Sequence, residues 1–310
     1  MKKANVGGQA VIEGVMMKNE DQYAVAVRKP NQEIVIDQKT YVSLGKRYKI
    51  LGVPFVRGIV AFGESMVLGM KILSFSAEFF EVEDEKESKM DTWINKTFKD
   101  KANSIIIGIS MILAMLMAIG LFVLLPLFIT ELIKPMIPNE HLVNLSDGII
   151  RIIVFLMYII LISKMKDIQR VFQYHGAEHK TINCYEAGLD LTVENAMKQT
   201  RLHKRCGTSF LMYVVIISVF VMTIVNAQTV LMRFVARILL LPVIAGVSYE
   251  VLKFIGKSDS KILGVFAKPG LMLQRITTQE PDASQLEVAI ASLKCVLHTE
   301  EENETNTSIA

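Results

Sequence analysis

Residues 102–130, ANSIIIGISMILAMLMAIGLFVLLPLFIT, form a run of 29 residues without a charged side chain. A helix needs about 20 apolar residues to cross a bilayer, so this run is long enough to span one. Residues 207–232 form a second uncharged run, of 26 residues. Two spans of this strength place the chain among integral membrane proteins.

Two shorter apolar runs, residues 152–163 and 238–249, each follow a strong span after a connecting loop. Runs of this length fit a buried helix as well as a span, but their positions predict the return leg of a hairpin in each case. We therefore predict a mainly α-helical membrane protein with four transmembrane helices within residues 102–255. Arg151 and Arg237 begin the short runs, and they are interpreted either as interfacial anchors or as paired arginine sites.

The composition of the 310-residue chain supports this class. Hydrophobic residues make up 51% of the chain, charged residues only 21%, and the mean hydropathy is +0.38. Lys and Arg number 34 against 31 Asp and Glu, and this near-balance argues against nucleic acid as a partner. Three Cys exclude a disulfide-built secreted domain. The expected partners are the lipid bilayer and other membrane proteins.

The distribution of basic residues predicts the orientation in the membrane. The loop 131–148 carries one lysine, whereas the loop 164–206 carries eight basic residues and the region before the first span carries sixteen. Because Lys and Arg are enriched on the cytoplasmic side, both termini and the loop 164–206 are predicted to be cytoplasmic.

The regions around the spans differ in pattern. Residues 1–50 are predicted to be a β-rich cytoplasmic region, since residues 23–28 and 33–37 alternate around a turn. Residues 51–80 carry a polar residue at every seventh position and predict an amphipathic membrane-associated helix. That helix is interpreted as buried against the spans or lying in the interface, and a spanning helix is the least favoured interpretation. The remaining regions are a charged linker at 81–101, a cytoplasmic C-terminal helix within 256–298 and a disordered tail at 299–310.

The loop between the second and third spans is predicted to be a cytoplasmic helical hairpin, residues 166–206. Gly188 is expected to end its first helix and Thr192 to cap a returning one. In an antiparallel hairpin, pairs of residues whose numbers have the same sum lie at the same height. The sums for His175 with Cys206 and for His179 with His203 differ by only one, so these four residues are predicted to lie at nearly the same height.

Four side chains of the hairpin predict a metal site. His175 and His179 are spaced i, i+4, and His203 and Cys206 are spaced i, i+3, so each pair would share a helical face. Imidazole and thiolate are ligands of Zn²⁺ and of other divalent transition metals. The alternative is a polar hydrogen-bonded hairpin without a metal.

Glu178 completes the pattern His-x-x-Glu-His and is the candidate catalytic residue. In inverted zincins this pattern supplies two zinc ligands and a glutamate that activates water. Three protein ligands would leave a position open for catalysis, whereas four would close the site and make it structural. Arg201 and Arg205 are expected beside the site, where either could form an ion pair with Glu178 instead.

Several segments resemble the YqhQ-like family of bacterial integral membrane proteins, to which metal-dependent enzymatic activity is attributed. The segments are 7–17 (GGQAVIEGVMM), 170–186 (RVFQYHGAEHKTINCYE), 201–210 (RLHKRCGTSF), 277–281 (TTQEP) and 285–290 (QLEVAI). The resemblance implies a multi-pass protein of the bacterial inner membrane. It also implies that the metal-site candidates are His175, Glu178, His179, His203 and Cys206. It implies no substrate.

Two functions follow from these residues. The first is a metal-dependent hydrolase acting at the cytoplasmic face on a membrane-associated peptide or a lipid-linked substrate. The second is a non-enzymatic membrane assembly or scaffold protein with a structural metal site. A transporter is less favoured, because the two strong spans lack acidic residues.

Overall fold

The computed structural model of this chain describes residues 6–80, 102–225, 229–256 and 260–307. The predicted linker at 81–101 lies outside these residues. The strands are β1 (Val6–Val11), β2 (Gly14–Asn19), β3 (Gln22–Arg28) and β4 (Ile34–Thr40). The helices are α1 (Leu44–Arg47), α2 (Val56–Ala77), α3 (Ala102–Ile119), α4 (Leu125–Ile133), α5 (Glu140–Ile162), α6 (Lys166–Glu186), α7 (Val193–Met197), α8 (Gly207–Ile224), α9 (Val230–Gly256), α10 (Lys261–Thr277) and α11 (Ala283–Thr307).

The chain divides into two compact units. The first, called the sheet unit, contains the described residues of 6–80, 158–217 and 241–307. The second, called the span unit, contains the described residues of 102–157 and 218–240. All the candidate metal-site residues belong to the sheet unit.

The four strands form one antiparallel sheet in the order β1-β2-β3-β4. Arg28 pairs with Ile34 across the turn between β3 and β4, so the predicted hairpin is confirmed. The central strands bury side chains on both faces, which explains their almost continuous apolar sequences. One face packs against Leu68 and Ile72 of α2, and the other packs against α6 and α11.

Five described helical segments, not four, are long and apolar enough to cross a membrane. They are Val56–Phe80, Gly108–Met136, Leu142–Ile162, Gly207–Ile224 and Leu231–Gly256. The last four correspond to the predicted spans, and the first is the predicted amphipathic helix. The predicted count of four is therefore not confirmed.

The contacts of α2 explain how this apolar helix accommodates its polar residues. Arg57 pairs with Glu250 of α9 at 2.5 Å. Glu64 accepts hydrogen bonds from Ser43 Oγ at 2.8 Å and from Leu44 N at 2.5 Å, at the start of α1. The sheet covers one face of α2, and an apolar face with Met66, Val67, Met70 and Leu73 is exposed.

The first arm of the predicted hairpin and its turn are confirmed. Helix α6 ends at Glu186, and Gly188 follows with a φ of 73°, in the left-handed region that favours glycine at a helix end. The side chain of Thr192 accepts a hydrogen bond from Asn195 N and caps α7.

The second arm differs from the prediction. Helix α7 has only five residues, and both His203 and Cys206 lie in the non-helical segment 198–206. The prediction that a returning helix carries them is therefore wrong. The carbonyl groups of this segment bond to side chains of neighbouring helices, as described below, and these bonds replace those of a helical turn.

The C-terminal region contains two helices where the sequence predicts one. Helix α10 continues through Pro269 and Gly270 and ends at Thr277. A non-helical connection then leads to Ala283, where α11 begins. A Cβ at Gly270 would lie 2.5 Å from Ser209 Oγ, so close packing on α8 explains the glycine within the helix. Helix α11 extends to Thr307, where the sequence predicts a disordered tail from residue 299.

Candidate metal centre

The two histidines of α6 lie side by side on one face of the helix. The ring centroids of His175 and His179 are 4.4 Å apart, with an angle of 64° between the ring planes. Both side chains are buried, and His179 is only 1% exposed. The spacing of one helical turn therefore produces the shared face that the sequence predicts.

Each ring is held through its Nδ1 atom. Nδ1 of His175 donates to the carbonyl oxygen of Thr277 at 2.8 Å, and Nδ1 of His179 donates to that of Arg201 at 2.6 Å. Because a carbonyl oxygen only accepts, the proton of each neutral ring is on Nδ1 and the lone pair is on Nε2. Metal-binding histidines are oriented in this way, with one ring nitrogen bonded to the protein and the other available to the ion.

Nε2 of His179 is buried and has no hydrogen-bond partner among the described residues. A buried polar atom without a partner is unfavourable, and such atoms in native structures often mark an ion or water site. A cation at this atom would supply the missing partner.

Cys206 brings the third ligand atom. Its Sγ lies 3.2 Å from Nε2 of His175, and ligand atoms of His175, His179 and Cys206 all lie within 4.8 Å of one another. These three residues are called the ligand group below. Sγ also accepts a hydrogen bond from Thr208 N at 3.4 Å, at the first turn of α8. Burial raises the pKa of this thiol, so a cation would displace its proton on binding.

His203, the fourth predicted ligand, lies beside this group and faces another residue. Its ring centroid is 5.8 Å from that of His179, and its Nε2 is 3.4 Å from Glu186 Oε2. Its backbone N–H donates to Gln274 Oε1, and its carbonyl accepts from Gln274 Nε2, both at 2.8 Å. The structure thus brings three of the four predicted ligands together.

Polar side chains of α6 hold the segment 198–206 against the helix. Asn183 Nδ2 donates to the carbonyl oxygens of Thr200 at 2.7 Å and Leu202 at 3.2 Å. Lys180 Nζ donates to Met197 O at 2.8 Å, just before this segment. Together with the bond from His179 to Arg201, these contacts position the segment that carries Cys206.

A close approach of α6 to the chain between α10 and α11 places Thr277 near His175. A Cβ at Gly176 would lie 2.0 Å from the carbonyl oxygen of Gln279. Gln279 N also donates to Phe172 O at 2.9 Å. Only glycine at position 176 permits this distance between the two backbones.

Glu178 is buried against the first strand of the sheet. Its side chain is 5% exposed and receives a hydrogen bond from the backbone of Gly8. Burial raises the pKa of Glu178 to about 8, and the electrostatic effects of His175 and Cys206 on it oppose each other. Sequence reasoning missed this contact, because it joins two residues that are far apart in the chain.

The two arginines expected near Glu178 pair with other groups. Arg201 donates to Thr278 O and lies 3.4 Å from a carboxylate oxygen of Glu280. Arg205 pairs with Glu186. Both contacts hold the segment that carries His203.

The protonation states of the histidine rings favour binding of a metal cation. Burial, together with the nearby His175, lowers the pKa of His179 well below its usual value. Burial also lowers the pKa of His203 to about 4. Both rings are neutral at pH 7, which is the state that binds metals. Two imidazole nitrogens and one thiol sulfur form a donor set suited to Zn²⁺.

The comparisons with known proteins are consistent with the sequence resemblance. A family described as "Protein of unknown function (DUF1385)" matches residues 53–299. The chain belongs to this family. "Uncharacterized protein YqhQ" of Bacillus subtilis (strain 168) is 37% identical over 303 residues, which cover 97% of this chain and 94% of that protein. No solved structure matches the chain. These descriptions name no reaction, so a function has to be argued from the geometry of the site.

Proposed function

We propose that this membrane protein is a metalloprotein whose ligand group, His175, His179 and Cys206, holds Zn²⁺ or another divalent transition metal at the cytoplasmic face. The supporting observation is Nε2 of His179, a buried lone pair without a partner in the described structure, next to a second imidazole and a thiol. The Nδ1 bonds to backbone carbonyls favour the ligand orientation of both rings before any ion binds.

We further propose that the centre catalyses hydrolysis. Three protein ligands leave one position open in a four-coordinate site, and a divalent cation held there would act as a Lewis acid toward a carbonyl or phosphoryl group. Glu178 is buried next to His175 and interacts electrostatically with it and with Cys206. The charge of the bound cation would lower the pKa of Glu178 and keep the side chain as a carboxylate. That carboxylate would accept a proton from the attacking water and return it to the leaving group. The substrate class is a membrane-associated peptide or a lipid-linked ester or phosphate.

A structural metal site is the second candidate function. The observation that favours it is the burial of all three ligand side chains, none of which is more than 8% exposed. Such a site would join α6, the segment 198–206 and the chain near Thr277 into a scaffold for other membrane proteins.

Metal analysis of the purified full-length protein tests the centre itself. We expect about one zinc ion per chain, which is lost in His179→Ala. In His203→Ala most of the metal is retained if the site has three ligands, because His203 faces Glu186. Equal loss in both variants would indicate a closed four-ligand site. A wild-type protein without stoichiometric metal would refute both candidate functions.

The variant Glu178→Gln separates the two functions. It preserves the shape of the side chain, so metal content and folding should remain at wild-type levels. A hydrolase loses turnover of fluorogenic peptides, p-nitrophenyl butyrate or bis-p-nitrophenyl phosphate, by about 100-fold or more. Glu194→Gln is the matched control, since Glu194 is exposed on α7 and pairs only with Lys198 in the described contacts. Equal turnover in both variants would refute the catalytic role of Glu178.

A further inference from the structure

The span unit contains a cluster of charged side chains between its apolar helices. Asp147 and Arg151 belong to α5, Arg233 and Arg237 to α9, and Glu131 to α4. Asp147 is 4% exposed and Arg237 is 6% exposed. Ionisable residues at such positions are costly in a membrane domain and usually have a function.

One carboxylate oxygen holds two of the arginines. Asp147 Oδ2 accepts a hydrogen bond from Arg151 Nη2 at 2.9 Å and another from Arg237 Nη2 at 2.5 Å. Glu131 Oε1 accepts from Arg233 Nη1 at 3.2 Å. Interfacial anchoring, one of the two interpretations from the sequence, does not describe these buried contacts.

The cluster lies well inside the helices. Asp147 and Arg237 are each seven residues from the start of their helices, which corresponds to about 10 Å along the axis. At that depth a charge is weakly solvated, and guanidinium groups that share a single oxygen repel each other.

The group formed by Asp147, Arg151 and Arg237 has unequal charge and incomplete hydrogen bonding. Two guanidinium groups share one carboxylate, which leaves one excess positive charge among these three side chains. The Nε atoms of Arg151 and Arg237 are buried and have no hydrogen-bond partner within the described ranges. Both deficits would be met by one additional anion that accepts hydrogen bonds from these Nε–H groups.

We propose that this arginine cluster is a binding site for an oxyanion of the phosphate class. The Nε–H and Nη–H groups of a guanidinium form a planar edge that matches two oxygens of a phosphate. The phosphate group comes either from the free inorganic ion or from the headgroup of an anionic phospholipid. This site lies in the span unit and does not depend on the proposed metal centre.

Thermal unfolding of the full-length protein in dodecyl maltoside distinguishes the two sources. Sodium phosphate is compared with sodium chloride at equal ionic strength, and dioleoyl phosphatidylglycerol is compared with diolein, which has no phosphate. We expect a saturable increase in Tm with inorganic phosphate or with phosphatidylglycerol, and none with the matched control compound. The absence of a saturable increase with both phosphate probes would overturn the proposal.

Two variants localise the response. Arg237→Lys retains the positive charge but lacks Nε–H, so the apparent Kd should increase by about tenfold or more. Arg275→Gln, which removes one exposed positive charge from α10, should bind like the wild type. A wild-type Kd in Arg237→Lys would overturn the proposal. If that variant does not fold, Arg151→Lys is judged by the same criterion, and if neither folds the wild-type titration decides alone.

Discussion

The contact between β1 and the buried glutamate of the site predicts a strong effect from adding one methyl group. An ideal Cβ at Gly8 would lie 2.7 Å from the carbonyl oxygen of Met16 and 2.8 Å from Cγ of Glu178. The carbonyl belongs to a central strand, and the glutamate is enclosed, so neither can move away easily. We expect Gly8→Ala to destabilise the protein by about 1–3 kcal/mol, the usual range for overpacking a core.

The neighbouring glycine provides the matched control. A Cβ at Gly7, in the same strand, would have no atom within 4 Å. Gly7→Ala should therefore change the stability by no more than about 0.5 kcal/mol. Unfolding of the full-length protein in detergent, followed by circular dichroism, measures both variants. The expected decrease in Tm for Gly8→Ala is roughly 2–4 °C for each kcal/mol of destabilisation.

A second background tests which neighbour causes the effect. Glu178→Ala removes the Cγ and Cδ atoms, so Gly8→Ala should cost at least about 0.5 kcal/mol less in that background. Equal midpoints for Gly7→Ala and Gly8→Ala would refute the reasoning. An unchanged cost in the Glu178→Ala background would assign the clash to Met16 alone.

Two further predictions concern the backbone approach and the titration of the site. Gly176→Ala should destabilise by about 3 kcal/mol or more, because its Cβ would meet a backbone oxygen, whereas Gly264→Ala, also in a helix but in open space, should be neutral or stabilising. Equal unfolding midpoints would contradict this. For the metal-free protein we expect a stability maximum near pH 6.5. Between about pH 4.5 and 6.5 the unfolded chain binds two protons, at His179 and His203, whereas the folded chain binds one, at Glu178. Because the unfolded chain binds one more proton, the free energy of unfolding rises by about 1.4 kcal/mol per pH unit. Between about pH 6.5 and 8 only the folded Glu178 holds a proton, so stability falls with a similar slope. Urea midpoints at pH 5, 6.5 and 8 check this, and a steady rise across that range would disprove it.

The features that local patterns determine could be predicted from the sequence. The i, i+4 spacing of His175 and His179 places both on one helical face, and the end of that helix follows from Gly188. The side chain of Thr192 accepts a hydrogen bond from Asn195 N and so caps the next helix. In each case the information lies within a few neighbouring residues.

The features that long-range contacts determine could not be predicted in this way. Cys206 reaches the site on a non-helical segment, because side chains distant in sequence bind its backbone carbonyls. The proximity of Gly8 to Glu178 depends on how the sheet packs against α6. Whether His203 would join the proposed ligand group depends on Glu186, whose Oε2 lies 3.4 Å from Nε2 of His203.

The bond from His175 to Thr277 has a consequence for biosynthesis. Thr277 follows the last apolar segment and lies 102 residues after His175. While the ribosome is still making that segment, the acceptor that orients this imidazole does not yet exist. For the proposed metal centre, loading of the ion would therefore be a late event, after synthesis of the last apolar segment, and metal acquisition would depend on maturation of the whole polypeptide.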